Sequence, residues 1–264
     1  MEKGGRPLRK TAIITGGAGG LGLALAAQLQ TQGWFTVLID LPGPSLEGLP
    51  SNDMQMPLAC DLTDQAQLIA VCDKVRQERP SIDMVIYSAG VTQIGLFENM
   101  DLATQRRVFD INYFAAVAMA REVLADIRRA RGAHVAISSV AGFSPLFKRS
   151  AYAASKHALQ GFFTSLRAEE HAHGVRVSIA APSFVATNPG NPERQDGGIA
   201  RPGSAVDGFD QMSAQQAAKI ILRGVEKGHA FIPVGRVARL AWWVTRLSPA
   251  LFLRLMMRNM KAGP

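Results

Sequence analysis

Short apolar runs alternate with longer amphipathic runs along most of this chain, and that alternation limits the folds it can adopt. Six apolar runs read as strands: Ala12–Thr15, Phe35–Asp40, Met84–Ser88, His134–Ser138, Val175–Ala181 and Ala230–Pro233. Several are apolar throughout, as expected for parallel strands covered on both faces. Helical periodicity lies between them, over Leu21–Gln32, Asp64–Arg79, Leu102–Arg129, Ala151–His173 and Ser213–Lys227. The pattern predicts an α/β fold with one doubly wound parallel sheet and helices on both faces.

The chain of 264 residues is predicted to form a single domain over residues 1–264, because α/β folds often run to about 250 residues and no repeat or linker divides this one. Its core is expected over residues 7–234. Residues 187–212 are rich in Gly, Pro and polar groups without a regular period, and a loop of this length is usually functional. We therefore expect them to form a lid over the substrate. The stretch after Asp40 also has a poor helical period, so any helix there is expected to be short.

Composition excludes several classes of protein. Two cysteines, Cys60 and Cys72, are too few for a disulfide framework and lack metal-ligand spacing, so no metal site is expected. The net charge is +8, but no run of five basic residues occurs and only 7% of residues are aromatic, which argues against nucleic acid as a partner. No stretch of about 18 apolar residues predicts a membrane span. The basic start of the chain lacks the apolar stretch of a signal peptide, so the expected location is the cytoplasm.

A glycine-rich turn joins the first predicted strand to the first predicted helix. It reads Thr15-Gly-Gly-Ala-Gly-Gly-Leu-Gly22. Glycines permit a tight turn and a close approach of the backbone to a pyrophosphate, whose charge then meets the helix N-terminus. Because an apolar strand precedes the turn and a helix follows it, we expect a Rossmann-type dinucleotide site. The turn residues predicted to contact the cofactor are Gly16, Gly19, Gly20, Leu21 and Gly22.

Two carboxylates follow the next strands. Asp40 ends the second predicted strand, eighteen residues beyond Gly22. A carboxylate at this point can accept hydrogen bonds from both hydroxyls of the adenosine ribose and would repel a 2′-phosphate, so the sequence favours NAD over NADP. Asp61 follows the third strand, where it could meet the adenine edge or cap the next helix, a role that Thr63 also fits.

A tyrosine, a lysine and a serine form the candidate catalytic group. Tyr152 is the one tyrosine of three that has a lysine, Lys156, four residues later. That spacing puts both on one face of a helix, where an ammonium would lower the pKa of the tyrosine and make it a usable acid or base. Ser139, thirteen residues before Tyr152, follows a predicted strand at the carboxyl edge of the sheet. Its hydroxyl can hold a substrate carbonyl against the phenol.

Together these residues resemble the classical short-chain dehydrogenase/reductase family, from Lys10 to about Pro233. The matching motifs are Thr15-Gly-x-x-x-Gly20-x-Gly22, Asp61, Ala89-Gly90, Asn112, Ser139, Tyr152-Ala-Ala-Ser-Lys156 and Pro182-Ser-Phe-Val-Ala-Thr187. The joint spacing of Asn, Ser, Tyr and Lys is more specific than any one motif. The chain departs from the family at Ser88 and Ser183, where the family often has Asn and Gly.

The resemblance implies a catalytic tetrad of Asn112, Ser139, Tyr152 and Lys156. Tyr152 would exchange a proton with the alcohol or carbonyl oxygen while Ser139 orients it. Lys156 would lower the pKa of Tyr152 and bind the nicotinamide ribose, and Asn112 would hold a water that links Lys156 to solvent. The further residues that the resemblance assigns to the cofactor are Asp61, Leu62, Ala89, Gly90, Tyr152, Lys156, Pro182, Val185 and Thr187.

The expected function is an oxidoreductase that transfers a hydride between NAD(H) and a secondary alcohol or ketone. Stretches that line the pocket in the family contribute mostly apolar residues, which suggests a steroid-, retinoid- or lipid-like substrate; they are Val91, Ile94, Leu146, Phe147 and Phe184. The alternatives are an NADPH-dependent 3-oxoacyl reductase of the same fold, against which Asp40 argues, and a non-catalytic NAD-binding regulator, which would be free to lose the tetrad.

The C-terminal extension, residues 235–264, is predicted to form amphipathic helices, with Ser248-Pro249 at the start of a second one. Its basic residues lie opposite Leu, Trp, Phe and Met. Four roles stay open: packing on a core face, covering the substrate cleft, contact with a partner subunit, and peripheral contact with a membrane interface. The resemblance separately implies a homodimer or homotetramer that pairs through the helices predicted at Leu102–Arg129 and Ala151–His173.

Overall fold

A computed structural model describes residues 9–187, 198–200 and 211–261, with the side chains of 258–261 left out. Seven parallel strands form one sheet in the order β3-β2-β1-β4-β6-β7-β11, and two strand pairs lie outside it, β5 with β9 and β8 with β10. The strands are β1 Thr11–Thr15, β2 Phe35–Asp40, β3 Gln55–Ala59, β4 Met84–Tyr87, β5 Thr92–Gln93, β6 Ala133–Ile137, β7 Arg176–Pro182, β8 Val185–Ala186, β9 Ile199–Ala200, β10 Met212–Ser213 and β11 Phe231–Val234.

Helices connect the parallel strands. They are α1 Gly20–Thr31, α2 Pro44–Glu47, α3 Gln65–Glu78, α4 Leu102–Phe109, α5 Ala115–Glu122, α6 Leu124–Ala130, α7 Ser150–Glu170, α8 Ala214–Glu226, α9 Arg236–Leu247 and α10 Pro249–Lys261. The helix expected to be short after Asp40 is α2, which has four residues. The second helix of the extension begins where it was predicted, and the backbone N–H of Leu251 donates to Ser248 Oγ at 3.3 Å.

Successive residues of the central strands pack into two apolar clusters, one on each face of the sheet. Ile13 and Val85 join residues of α3, α5 and α7, whereas Ile14 and Ile86 join residues of α1 and α8. Side chains alternate between the faces of a strand, so a strand that is apolar throughout needs a cover on both sides. The structure confirms the predicted doubly wound parallel sheet.

The prediction of one continuous helix over Leu102–Arg129 was wrong. The segment divides into α4, a π-helical turn at Asp110–Phe114, α5 and α6. Asn112 lies in the π-helical turn, where its side-chain amide makes a pair of hydrogen bonds with the backbone of Val91. Such turns insert one residue into a helix and are frequent at functional sites.

A buried tyrosine–histidine pair lies between β4, β6 and α7. The hydroxyl of Tyr87 is 2.6 Å from Nδ1 of His134, and both rings pack near Phe163. The Nε2 atom of His134 is buried and has no hydrogen-bond partner among the described residues. Burial lowers the pKa of His134 from 6.5 to about 4, so the ring is neutral in the folded protein at pH 7.

This pair makes stability depend on pH. Because the pKa of His134 is lower in the folded protein than in the unfolded chain, the unfolded chain binds more protons between about pH 6.5 and pH 4. The stabilisation is therefore present above pH 6.5 and is lost as the pH falls, by about 2 kcal/mol at pH 5. Urea denaturation of wild type and His134→Gln at pH 7 and pH 5 measures this loss in the free energy of unfolding. We expect a smaller loss in the variant, and equal losses would contradict the assignment.

Candidate active site

The glycine turn between β1 and α1 is packed too closely for side chains. Gly16 has a φ of +66°, and a Cβ there would lie 2.9 Å from the Cα of Ala89. A Cβ on Gly20 would lie 2.6 Å from the carbonyl oxygen of Thr187. In the described part of the chain, no side chain caps the first turn of α1, and no acidic residue lies in that turn. The positive end of the α1 dipole therefore faces the glycine turn, where the sequence predicts a pyrophosphate.

Asp40 lies at the carboxyl end of β2 beside this turn. Its Oδ2 accepts a hydrogen bond from the backbone N–H of Ala18 at 2.9 Å, and its Oδ1 accepts one from the N–H of Leu41 at 2.9 Å. A carboxylate has about four acceptor positions, so each oxygen of this half-buried group can accept one more hydrogen bond. The backbone thus orients Asp40 and leaves it able to bind a pair of hydroxyls.

Asp61 does not cap the helix that follows it, and neither does Thr63. The N-cap of α3 is Asp64, which accepts hydrogen bonds from the N–H groups of Ala66 and Gln67. Asp61 instead holds the turn before the helix, since its Oδ1 accepts from the N–H and the hydroxyl of Thr63 at 2.9 and 2.7 Å. The capping role left open for Asp61 is therefore taken by Asp64, and contact of Asp61 with the adenine stays a prediction.

A cavity of about 630 Å³ runs along the carboxyl ends of the strands. It brings together nearly all the residues predicted for the site: Gly16, Gly19, Gly20, Leu21, Gly22, Asp40, Asp61, Leu62, Ala89, Gly90, Ser139, Tyr152, Lys156, Pro182, Val185 and Thr187. Asn112 does not line this cavity. Among the apolar residues expected to line the pocket, Val91, Leu146 and Phe184 do so, whereas Ile94 and Phe147 do not.

Tyr152 and Ser139 form the polar centre of the cavity. Ser139 lies two residues beyond the end of β6, and its Oγ accepts a hydrogen bond from the N–H of Ala141 at 3.2 Å. The same hydroxyl is close enough to the side chain of Tyr152, in the first turn of α7, to lower the pKa of that tyrosine. The Nζ of Lys156 lies one turn further along α7, 5.9 Å from the centre of the Tyr152 ring, and donates to the carbonyl oxygen of Ile137 at 2.9 Å.

Burial sets the protonation of this group. Loss of solvation raises the pKa of Tyr152 above 10, while the Ser139 hydrogen bond and the charge of Arg149 act in the opposite direction. The net direction is opposite to the one expected from the Tyr–Lys spacing, because desolvation outweighs the neighbouring charge. Burial also lowers the pKa of Lys156 from 10.5 to about 8. Tyr152 is therefore a neutral proton donor at pH 7 in this structure.

Asn112 connects the loop after β4 to α7 behind the cavity. Its Oδ1 accepts from the N–H of Val91 at 2.8 Å, and its Nδ2 donates to the Val91 carbonyl at 2.9 Å and to Ser155 Oγ at 3.0 Å. The Ser155 hydroxyl in turn donates to the carbonyl oxygen of Tyr152 at 2.8 Å. A Cβ on Gly90 would lie 3.1 Å from Asn112 Oδ1 and 3.4 Å from Lys156 Nζ, so glycine leaves room for both side chains.

Sequence reasoning missed Arg149 and Arg107, which both line the cavity. Arg149 immediately precedes α7, and its Nη1 donates to Thr92 Oγ1 at 2.6 Å across 57 residues of chain. The sequence does show a basic residue three positions before Tyr152. Its place beside the cavity, however, depends on the hydrogen bond to Thr92, which the sequence does not reveal. The positive charge of Arg149 lowers the pKa of Tyr152, the candidate acid.

The predicted lid and the C-terminal extension both contribute residues to the wall of the cavity. Most of the lid predicted at residues 187–212 lies outside the described residues. Its described parts are Thr187, which lines the cavity, and the pieces that form β9 and β10. In the C-terminal extension, Val237 of α9 also lines the cavity, and Trp242 stacks on Phe231 with ring centres 3.8 Å apart. The extension therefore borders the cleft, one of its four possible roles.

Known proteins share sequence similarity with this chain. A family model described as short chain dehydrogenase matches residues 10–197. Dehydrogenase/reductase SDR family member 7B of Bos taurus is 32% identical over 262 residues, which span 92% of this chain and 79% of that protein. The 3-ketodihydrosphingosine reductase of Bos taurus is 32% identical over 181 residues, or 64% of this chain and 54% of that one.

Solved structures share the fold. A short chain dehydrogenase from Burkholderia cenocepacia in complex with NADP has a TM-score of 0.80 at 20% identity, over 94% of this chain and 98% of that one. A short chain dehydrogenase/reductase from Burkholderia phymatum in complex with NAD has a TM-score of 0.73 at 19% identity, over 85% and 88% of the two chains. Both similarities concern the arrangement of the backbone.

The position of Arg149 predicts a measurable shift in the ionisation of Tyr152. Arg149→Gln should raise the pKa of Tyr152 further, because the variant loses a positive charge that stabilises the phenolate. Phenolate absorbance near 295 nm follows the titration, and the difference between each protein and the same protein carrying Tyr152→Phe isolates Tyr152 from Tyr87 and Tyr113. Arg149→Lys, which keeps the charge, should titrate like wild type. An unchanged titration in Arg149→Gln would show that Arg149 does not act on Tyr152.

Proposed function

The chain belongs to the short-chain dehydrogenase/reductase family, and we propose that it transfers a hydride between NAD(H) and a hydrophobic secondary alcohol or ketone. Members of the family are NAD(P)-dependent oxidoreductases. The observation that carries the proposal is the shared cavity. It is lined by the glycine turn after β1, Asp40 at the end of β2, Ser139 after β6, and Tyr152 and Lys156 of α7. The cavity thus has room for a dinucleotide and for a substrate at its reactive end.

The residues present fit NAD as the cofactor. The open N-terminus of α1 suits a pyrophosphate, and the remaining acceptor positions of Asp40 suit the two ribose hydroxyls. Among the described residues, the basic side chains that line the cavity are Arg107, Arg149 and Lys156, and none of them comes from β2 or the turn after it. A 2′-phosphate beside Asp40 would meet a negative charge, which supports NAD over NADP. When bound, NAD supplies or accepts the hydride.

Tyr152 and Ser139 move and hold the proton in this proposal. For reduction of a ketone, the Ser139 hydroxyl donates a hydrogen bond to the carbonyl oxygen and Tyr152 gives that oxygen its proton. For oxidation, the phenolate of Tyr152 accepts the proton of the alcohol. The positive charge of Arg149 stabilises the phenolate in both directions, which offsets part of the cost of burying it.

The substrate proposed is lipid-, steroid- or retinoid-like. Apolar side chains surround the polar centre of the cavity, among them Val91, Val140, Leu146, Phe184 and Val237. Pockets built in this way gain affinity from apolar burial and use a few polar groups for orientation. The name of the 3-ketodihydrosphingosine reductase relative, which denotes a ketone on a long-chain lipid, supports the same class.

A second candidate is reduction of a 3-oxo lipid by NADPH. The name of the same relative and the NADP-bound solved structure favour it, whereas the charge of Asp40 opposes it. In either case we propose that the protein acts as a homodimer or homotetramer that pairs through α4 to α7. The exposed side chains of Leu102 and Phe114 on this face support the pairing.

Removal of the proposed acid should stop turnover without loss of cofactor binding. In Tyr152→Phe we expect kcat to fall by about 10²- to 10⁴-fold, because general acid–base catalysis contributes that much, with NADH affinity nearly unchanged. The assay oxidises a panel of hydrophobic secondary alcohols with NAD and follows NADH absorbance. Tyr113→Phe, outside the cavity, is the matched control and should keep full activity. Retained turnover in Tyr152→Phe would exclude Tyr152 as the acid or base.

Removal of the charge at Asp40 should change the cofactor preference. Titration of wild type with NADH and NADPH, followed by quenching of Trp34, Trp242 and Trp243, should show tighter binding of NADH. Asp40→Asn keeps the size of the side chain but removes the charge that opposes a 2′-phosphate, so we expect the ratio of the two dissociation constants to narrow by about tenfold. An unchanged ratio would mean that Asp40 does not contact the ribose, and tighter NADPH in wild type would favour the second candidate.

A further inference from the structure

The two C-terminal helices expose a large apolar surface. Of the large apolar side chains that are exposed in the described part of the chain, half belong to α9 and α10. We call this set the C-terminal surface; its members are Val237, Leu240, Trp243, Leu247, Leu251, Leu253, Leu255 and Met257. Leu240, Trp243 and Leu247 are 67%, 62% and 80% exposed. Exposed apolar surface concentrated in this way usually marks an interaction site.

The packing of this chain does not use the C-terminal surface. On the opposite face of α9, Ala238 and Ala241 are buried, and Trp242 stacks on Phe231 and meets the edge of Phe143 at 5.1 Å. These contacts hold α9 against β11 and the turn after Ser139. In α10, Phe252 and Met256 are the half-buried residues, four positions apart, and α10 contacts α9. The inner faces alone therefore attach both helices to the fold.

The charge of this region is of one sign. Residues 235–264 contain six of the 29 Lys and Arg residues and none of the 21 Asp and Glu residues, so they carry most of the net charge of +8. Leu240, Trp243 and Leu247 recur at spacings of three and four residues and form one stripe along α9. Arg239 and Arg246, seven residues apart, lie along the flank of that stripe. An apolar stripe edged by cations is the pattern of a helix that lies in a membrane interface.

We propose that the C-terminal surface binds the surface of an anionic lipid bilayer, with α9 and α10 lying along the interface. Leu240, Trp243 and Leu247 would enter the boundary between headgroups and acyl chains, while Arg239 extends to lipid phosphates. Arg246 stacks its guanidinium on Trp242, 3.8 Å from the ring centre, and adds positive charge beside the stripe. Within the described residues, no helix is long and apolar enough to cross a bilayer, so the contact is peripheral. Since Val237 on the same helix lines the cavity, the contact would hold the active site beside the membrane.

Charge decides between a bilayer and a second copy of this chain. A two-fold dimer would place the same surface against itself. The exposed arginines of α9 and α10, which include Arg236, Arg239 and Arg254, would then face their counterparts without an acidic residue of the extension to pair with them. Anionic lipid supplies the missing negative charge. The proposal does not depend on the reaction that the active site catalyses.

Vesicle sedimentation with the full chain tests the proposal. Vesicles of phosphatidylcholine with about a quarter phosphatidylserine should pellet wild type at low salt, whereas pure phosphatidylcholine should pellet much less. Leu240→Ser with Trp243→Ser should reduce binding by about tenfold or more, because two apolar anchors are lost. Ile69→Ser, an exposed apolar residue of α3, is the control and should bind like wild type. NADH titration of each variant verifies that the fold is intact.

A second pair of variants tests the electrostatic part. Arg239→Gln with Arg254→Gln should weaken binding to the anionic vesicles by about tenfold at low salt and by less at high salt. Lys219→Gln with Arg223→Gln, which removes the same charge from exposed positions of α8, is the matched control. Equal weakening in both pairs would overturn the proposal, because it would show attraction to overall charge alone.

The depth of Trp243 distinguishes a bilayer from a partner copy. Fluorescence should shift to the blue on anionic vesicles and be quenched by brominated acyl chains, and Trp243→Phe should lose most of both effects. Absence of the shift and quenching would overturn the proposal. Sedimentation velocity without lipid tests whether this face is instead a subunit interface. That reading would replace the proposal if Leu240→Ser with Trp243→Ser converted a wild-type dimer to a monomer but left vesicle binding unchanged.

Discussion

The parallel pairing of the seven strands places all of their carboxyl ends at one edge of the sheet, and most of the candidate site residues lie at or just beyond those ends. The glycine turn follows β1, Asp40 ends β2, Ala89 and Gly90 follow β4, and Ser139 follows β6. Residues that are far apart in sequence thus line one cavity. The close contact of Gly16 with Ala89 joins two of these ends directly, and it requires that position 16 have no side chain.

Burial governs the chemistry that this edge can perform. It raises the pKa of Tyr152 and lowers that of Lys156, so the two pKa values move apart. Arg149 opposes the effect of burial on Tyr152, and its own position depends on a hydrogen bond to Thr92 in β5, within the segment that follows β4. The Asn112 side chain ties that segment to α7 through Val91 and Ser155. The polar network behind the cavity therefore positions the groups that set the proton affinity of Tyr152.

Local sequence patterns predicted most of the secondary-structure elements and most of the residues that line the cavity. Strand and helix periods gave bounds for six of the seven strands of the sheet and for its major helices, but not for β3, Gln55–Ala59. The other bounds moved by one to three residues, and the helix from Leu102 was divided. That division could not be predicted, because the π-helical turn at Asp110–Phe114 serves hydrogen bonds from Asn112 to a residue 21 positions earlier. The cap at Asp64 was missed for a local reason, since Asp61 and Thr63 are equally good capping residues.

The sequence by itself determined the sheet, the glycine turn, and the placement of Tyr152 and Lys156 on one helical face, because each depends on residues within a few positions of one another. The tertiary structure alone decided the direction of the Tyr152 pKa, the presence of Arg149 beside it, and which face of α9 is covered. Each of these depends on desolvation or charge from segments far away in the chain, such as Thr92 for Arg149 and Phe231 for Trp242. Such contacts leave no periodic signal in the sequence.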